Sequence, residues 1–255
     1  MSGFGAFLGK ELGEIARTWR LWVLPGIVLF LALSGPPLAK VTPELVGTLI
    51  SEQQTGVLLR LPYPTYVDAY LQWTKNLSQL VLFAVIIISS GAISSERRSG
   101  TAVLVLTKPL SRSAFVLAKF VSHASLLITA VTLGALVTWG VTYAVFAEAP
   151  LRPLAEATGA WLALALLFVG LMLALSAVMD SQSGAAGLGF VVFITTSLGG
   201  LWRWAAEHTP AGLFGAPSDV VTGQAGPLGW PIVSALALTG GLVTAAILIF
   251  GRREL

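Results

Sequence analysis

Residues 77–95, LSQLVLFAVIIISSGAISS, and residues 120–143, FVSHASLLITAVTLGALVTWGVTY, are two membrane-length apolar runs. Between them stands ERRSGTAVLVLTKPLSRSAFVLAK (96–119). That linker carries Glu96, Arg97, Arg98, Lys108, Arg112 and Lys119, yet it has a small apolar core of its own, Val103 to Leu106, bracketed by Gly100 and Pro109. A hydrocarbon core about 30 Å thick needs about 20 apolar residues of helix. Each flanking run therefore reads as a transmembrane helix. Thr101–Lys108 makes at most about two helical turns and cannot cross.

Runs of the same kind recur at 21–39, 157–179, 184–204 and 230–250, which gives six spans, none charged in its central part. Composition agrees: 55 % of the 255 residues are hydrophobic and 11 % charged, against about 45–50 % and 25 % in soluble domains. Mean hydropathy is +0.83. The runs are too long for buried strands, so the expected fold is an all-α integral membrane protein with one transmembrane domain over 1–255. The chain has no cysteine, which removes disulfides, thiolate metal sites and cysteine nucleophiles.

Basic residues beside the spans give the orientation. With a cytoplasmic N-terminus, the inner side holds Lys10, Arg17, Arg20, Arg97, Arg98, Lys108, Arg112, Lys119, Arg252 and Arg253. The outer side then holds only Lys40, Arg60, Lys75, Arg152 and Arg203. Both termini are therefore expected in the cytoplasm. The net charge of +3 belongs to this inner rim and is no sign of nucleic-acid binding. Ala32-Leu33-Ser34 resembles a signal-peptide cleavage site, but the region before it is long and holds Glu11 and Glu14, so cleavage is not expected.

In the N-terminal segment Phe4, Leu8, Leu12, Ile15 and Trp19 recur at helical spacing. Lys10, Glu14 and Arg17 share another face, beside Glu11. This predicts an amphipathic helix lying at the membrane interface before the first span, with Gly5, Gly9 and Gly13 forming a stripe for close approach. Gly5 to Lys10 is no phosphate-binding loop, because the glycine spacing is too short and Glu11 stands where Ser or Thr is required.

Pro43 is expected to start a short helix between the first two spans. Tyr66, Tyr70 and Trp73 line up at i, i+4 and i+7 ahead of the second span, as an interfacial aromatic belt does. Pro217-Ser218-Asp219 offers a further helix start in the Gly- and Pro-rich segment before the last span. No catalytic constellation occurs: His123 and His208 have no partners at zinc-ligand spacing, and no G-x-S-x-G elbow is present. The spans themselves offer hydroxyls, among them Thr129, Thr132, Thr138, Thr142, Thr195 and Thr196, as candidate path residues. Ion-coupled transporters keep ionisable groups inside the bilayer. Their absence from these runs suggests that energy for transport enters from another subunit.

An apolar patch held outside the membrane wants a partner, and docking of 96–112 on a cytoplasmic protein answers that need. Here the chain resembles the six-span permease subunits of bacterial ATP-binding-cassette exporters. KELGEIARTWR (10–20), LPYPTYVDAYLQWTKNLSQL (61–80) and above all ISSERRSGTAVLVLTKPLSRSAFVLAKF (93–120) carry the likeness. The resemblance implies a bacterial cytoplasmic membrane location. It also implies pairing with a second permease subunit, identical or related, and a cytoplasmic coupling helix that seats in a separate ATPase. The coupling set would be Glu96, Arg97, Arg98, Gly100, Thr101, Val103, Leu104, Leu106, Lys108, Pro109 and Arg112, with Phe4 to Trp19 as an elbow beside it. ATP and magnesium would belong to the partner, and no cofactor, metal or enzymatic activity to this chain. Two other readings are an ATPase-driven sensing or assembly protein that moves no solute, and an ion-coupled transporter.

Overall fold

The computed structural model describes residues 3–17, 19–52, 63–101 and 111–252. These form α1 (Gly3–Arg17), α2 (Trp19–Glu52), α3 (Tyr66–Asn76), a π-helical turn (Leu77–Val81), α4 (Leu82–Ser90), α5 (Ser94–Arg98), α6 (Arg112–Phe146) and α7 (Leu151–Val178). They continue with α8 (Gln182–Gly199), α9 (Arg203–His208), a 3₁₀ turn (Pro210–Phe214), α10 (Ala216–Val221) and α11 (Gly229–Arg252). The described residues contain no strand, and six helical stretches are long and apolar enough to cross a membrane. These are α2, the run from Tyr66 to Arg98, then α6, α7, α8 and α11, spans one to six.

The fourth span is the centre. Trp161, Leu164, Phe168, Met172 and Leu173 are buried along it, and the second, third, fifth and sixth spans all pack on it. Close approach elsewhere relies on missing side chains. A Cβ on Gly134 of the third span would fall 2.4 Å from Val28 of the first and 2.8 Å from Trp73 of the second. Beyond the fifth span, α9, the 3₁₀ turn and α10 fold back on the bundle and bury Leu213, Val220 and Val221. Pro217 sits in the first turn of α10, where its missing N–H costs nothing.

Three expectations change. The helix of the first span does not restart at Pro43 but runs through it to Glu52, the one N–H that proline lacks being outweighed by the helical hydrogen bonds on either side of it. Helix α3 begins the second span early, and Tyr70 and Trp73 are buried between helices rather than forming an aromatic belt. The Tyr70 hydroxyl donates to the Pro150 carbonyl and the Trp73 indole N–H to Thr158 Oγ1, each at 3.2 Å. In α1, nothing lies within 4 Å of where a Cβ on Gly9 or Gly13 would stand, so those two glycines serve no close packing here.

Candidate functional site

The second span breaks at residues 91–93 and resumes as α5, which carries Glu96, Arg97 and Arg98. The break leaves backbone amides without helical partners, and such donors need one when buried. Ser176 of the fourth span supplies it: its Oγ accepts from the amides of Ile93 and Ser94, both at 3.0 Å. Beyond α5 the chain turns at Gly100, whose φ of 74° is the left-handed conformation that glycine adopts without strain.

Each charged side chain of α5 reaches a different element. Arg97 donates to the carbonyls of Ala177 (3.1 Å) and Met179 (2.9 Å) and pairs with the Asp180 carboxylate. Arg98 donates to the Asp180 carbonyl. The two arginines thus grip the short connection between the fourth and fifth spans. Glu96 turns the other way, to Lys119 of the third span.

Lys119 is 1 % exposed and lies between two carboxylates, Glu96 of α5 and Glu11 of α1, the latter at 2.9 Å. Glu11 continues the series through its other oxygen to Lys10 at 3.2 Å, and Lys10 reaches Glu14 at 2.6 Å. Acids and ammonium groups therefore alternate from the exposed face of α1 to the buried root of α5. Burial opposes the Lys10 charge, but the hydrogen bond to Glu14 and the nearby Glu11 and Glu96 carboxylates outweigh it, so its pKa is raised. Glu96 Oε2, by contrast, is buried without a hydrogen-bond partner among the described residues, so Glu96 is held by one oxygen alone. Aromatic rings close the site. Phe115 lies under the Lys119 ammonium and stacks on Phe7 (5.4 Å) and Phe250 (5.0 Å). Arg112 ties the same corner to the sixth span through the carbonyls of Phe250 (3.3 Å) and Gly251 (2.8 Å).

Two clefts open along the line where the second span faces the fifth. On the face that carries the termini, a cleft of about 280 Å³ lies among Ser94, Ser95, Arg98, Ser99 and Gln182. Toward the opposite face, one of about 590 Å³ is lined by Thr74, Lys75, Ser78, Gln79, Ser197 and Ser218, with Phe83, Phe193 and Phe214. Between them Phe83 meets Phe190 and Phe193 edge-on, at 5.2 and 4.9 Å.

A family model for ABC-2 family transporter proteins matches residues 6–215. The chain belongs to the ABC-2 transporter family. The match takes in α1, the break at 91–93 with α5, and five of the six spans. A search of the curated proteins finds no match. The chain is thus a permease, the membrane subunit of an ABC transporter.

In this ABC-2 permease, Glu96 meets the third span, Arg97 and Arg98 the fourth-to-fifth connection, and Arg112 the end of the sixth span. Thr101 is joined to Ser99 by a 2.8 Å hydroxyl contact. Val103, Leu104, Leu106, Lys108 and Pro109 lie outside the described residues. On α1 the buried face holds Phe7 and Glu11 with Phe4 and Leu8 beside them, whereas Leu12 is 43 % exposed and Arg17 exposed. The Ile15 and Trp19 side chains are outside the described set, and Trp19 already begins α2. The six threonines do not converge. Thr129 and Thr132 are exposed, and Thr138 and Thr142 are buried with hydroxyls lacking partners among the described residues. Thr195 donates back to Val191 and Val192 at 3.0 Å. Thr196 lines an apolar crevice of about 240 Å³ between the fourth, fifth and sixth spans.

Sequence reading misses the buried ion series, because a span starting at 120 leaves Lys119 on its flank. A signal was available. Ser111 is a good N-cap, and its Oγ does accept from the Ala114 amide at 3.1 Å. A helix starting there places Lys119 two turns inside, so the third span does carry a buried charge.

Proposed function

We propose that this chain forms the translocation path of an ATP-driven exporter and takes its energy from a separate ABC-type ATPase docked on segment 96–112. The observation that carries the reading is the set of bonds made by α5. One five-residue helix is tied to α1 and the third span through Glu96, and to the fourth-to-fifth connection through Arg97 and Arg98. Its amides are held by the fourth span. A displacement of the chain just beyond Gly100 therefore reaches four elements at once, and α5 itself lines one of the two clefts between the second and fifth spans. Charge pairs buried at such a joint cost much to break singly, which favours movement of the joint as a body.

In this reading both termini and segment 96–112 face the bacterial cytoplasm, and a second permease subunit, identical or related, covers the groove that exposes Lys75 and Gln79. Polar side chains on a span want a protein or water partner rather than lipid. The path runs along that groove. ATP and magnesium bind the partner.

The test is reconstitution of the chain with its ATPase in vesicles. Wild-type complex is expected to couple hydrolysis to flux, and Glu96→Gln to hydrolyse ATP with flux reduced at least about tenfold, the loss of one charge-assisted bond. Hydrolysis by the wild type without flux of any solute assigns the chain to the sensing or assembly class. A reporter fused at Gly100 that is active only outside the cell overturns the orientation.

A further inference from the structure

We infer that the substrate of this permease is an anionic amphiphile with a phosphate-type head, moved along the line between the second and fifth spans. The inference rests on the reading of that line as the path and names what travels on it. Among the described residues each of the two clefts on the line carries a single cation, Arg98 in one and Lys75 in the other, and no described carboxylate lines either. Both side chains are exposed. The Asp180 carboxylate beside Arg98 is engaged by Arg97, and Arg98 spends one N–H on the Asp180 backbone carbonyl. A guanidinium has five donors in a planar fork, so Arg98, which lines the cleft with Gln182, has donors to spare for a ligand there. Lys75 makes no ion pair with a described residue and stands among the hydroxyls of Thr74, Ser78, Ser197 and Ser218.

Their separation gives the two cations a shared meaning. Residues 75 and 98 lie on one nearly continuous helical run. Twenty-three residues at 1.5 Å each correspond to about 34 Å, close to the thickness of a hydrocarbon core of about 30 Å. One cation therefore stands at the headgroup level of each leaflet. Between them the line is aromatic, with Phe83, Phe190 and Phe193 edge to edge. A cation wanted only for anchoring belongs on the lipid-facing side of a span. These two instead open into clefts between spans, where a ligand can supply the counter-charge. An acyl tail has the aromatic stretch of Phe83, Phe190 and Phe193 to run along, while the head is received by Arg98 at one end and by Lys75 at the other. Arginine suits bidentate contact with a phosphate, and lysine presents a point charge from which the head is released more readily.

The test uses the purified full chain in neutral maltoside micelles, without any ATPase, so that it stands apart from transport. Dodecyl phosphate, dodecylphosphocholine, dodecyltrimethylammonium and inorganic phosphate are titrated and binding is read calorimetrically. Dodecyl phosphate is expected to bind at least about tenfold tighter than the zwitterionic and cationic detergents. Arg98→Gln and Lys75→Gln should each weaken it, and the double variant should lose the preference. Both side chains are exposed, so these variants are expected to fold, and their melting temperatures verify it. Equal binding of dodecyl phosphate and dodecylphosphocholine, or an unchanged preference in the double variant, overturns the inference. Inorganic phosphate competing as well as dodecyl phosphate overturns the amphiphile in favour of a free anion. Anion preference without ATP-dependent flux in vesicles would sink the path reading alone, and flux without anion preference would sink this inference alone.

Discussion

Ser176 and Ser94 meet twice across the interface between the fourth and second spans: the Ser176 Oγ accepts from the Ser94 amide at 3.0 Å and lies 3.2 Å from the Ser94 Oγ. One hydroxyl thereby does what a helix N-cap does, but from another helix, and it serves the Ile93 amide as well. The consequence is measurable. Ser176→Ala leaves two buried donors unsatisfied and should destabilise the protein by about 1–3 kcal/mol, read as a lower melting temperature in detergent. A melting temperature equal to that of the wild type would show that water or another group replaces the hydroxyl.

Lys119 offers a sharper test because it is an ammonium between two acids. Lys119→Met strands Glu11 and Glu96 together in a buried site, and removing one partner of such a pair costs about 3–5 kcal/mol. The triple change Lys119→Met, Glu11→Gln, Glu96→Gln removes all three charges and should restore most of the stability. Coupling of ATP hydrolysis to flux should not return with it, since the neutral joint holds α1, α5 and the third span less firmly. Restored coupling in the triple variant would show that packing alone transmits the motion.

Two glycines of the third span are predicted to respond in opposite ways. Gly134→Ala places a methyl group against Val28 and Trp73, and overpacking of that kind costs about 1–3 kcal/mol. Gly140 has nothing within 4 Å of the position of a Cβ, so Gly140→Ala should stabilise the helix by about 0.5–1 kcal/mol. Thermal denaturation of the two variants side by side checks the sign of each.

The pair Trp73 and Thr158 should couple. Trp73→Phe and Thr158→Val each break their 3.2 Å hydrogen bond, so the double variant is expected to cost about 1 kcal/mol less than the sum of the singles. Additive effects would show that the indole is held by packing alone.

Most of the architecture was legible in the sequence. Six apolar runs, the Ser111 cap and the Gly100 turn are local signals, and each corresponds to a feature of the fold. What escaped is what depends on neighbours. Tyr70 and Trp73 have the spacing of an aromatic belt, and only the packing of the second span against the third and fourth turns them inward. Glu11 sits at i+4 from Phe7 on the buried face of α1, yet an acid reads as solvent-facing until Lys119 is seen opposite. Ser176 is one serine in an apolar run, and nothing in that run announces a break in a different helix. The threonines mislead for a related reason, since a hydroxyl on a span can bond to its own backbone, as Thr195 does.

The π-helical turn at Leu77–Val81 carries an evolutionary consequence. Such a turn accommodates one residue more than regular α-helix would, and a residue corresponds to about 100° of rotation. Tyr70 and Trp73 lie on one side of the turn, and Phe83 and the break at 91–93 on the other. Deleting a single residue from 77–81 would close the turn into regular α-helix and keep the Thr158 and Ser176 contacts facing as they do, whereas a deletion elsewhere in the span would turn one half against the other by about 100° and unseat one of them. A relative that has lost this turn should therefore align with a one-residue gap near the α3 end of the second span, with the facing of both halves preserved.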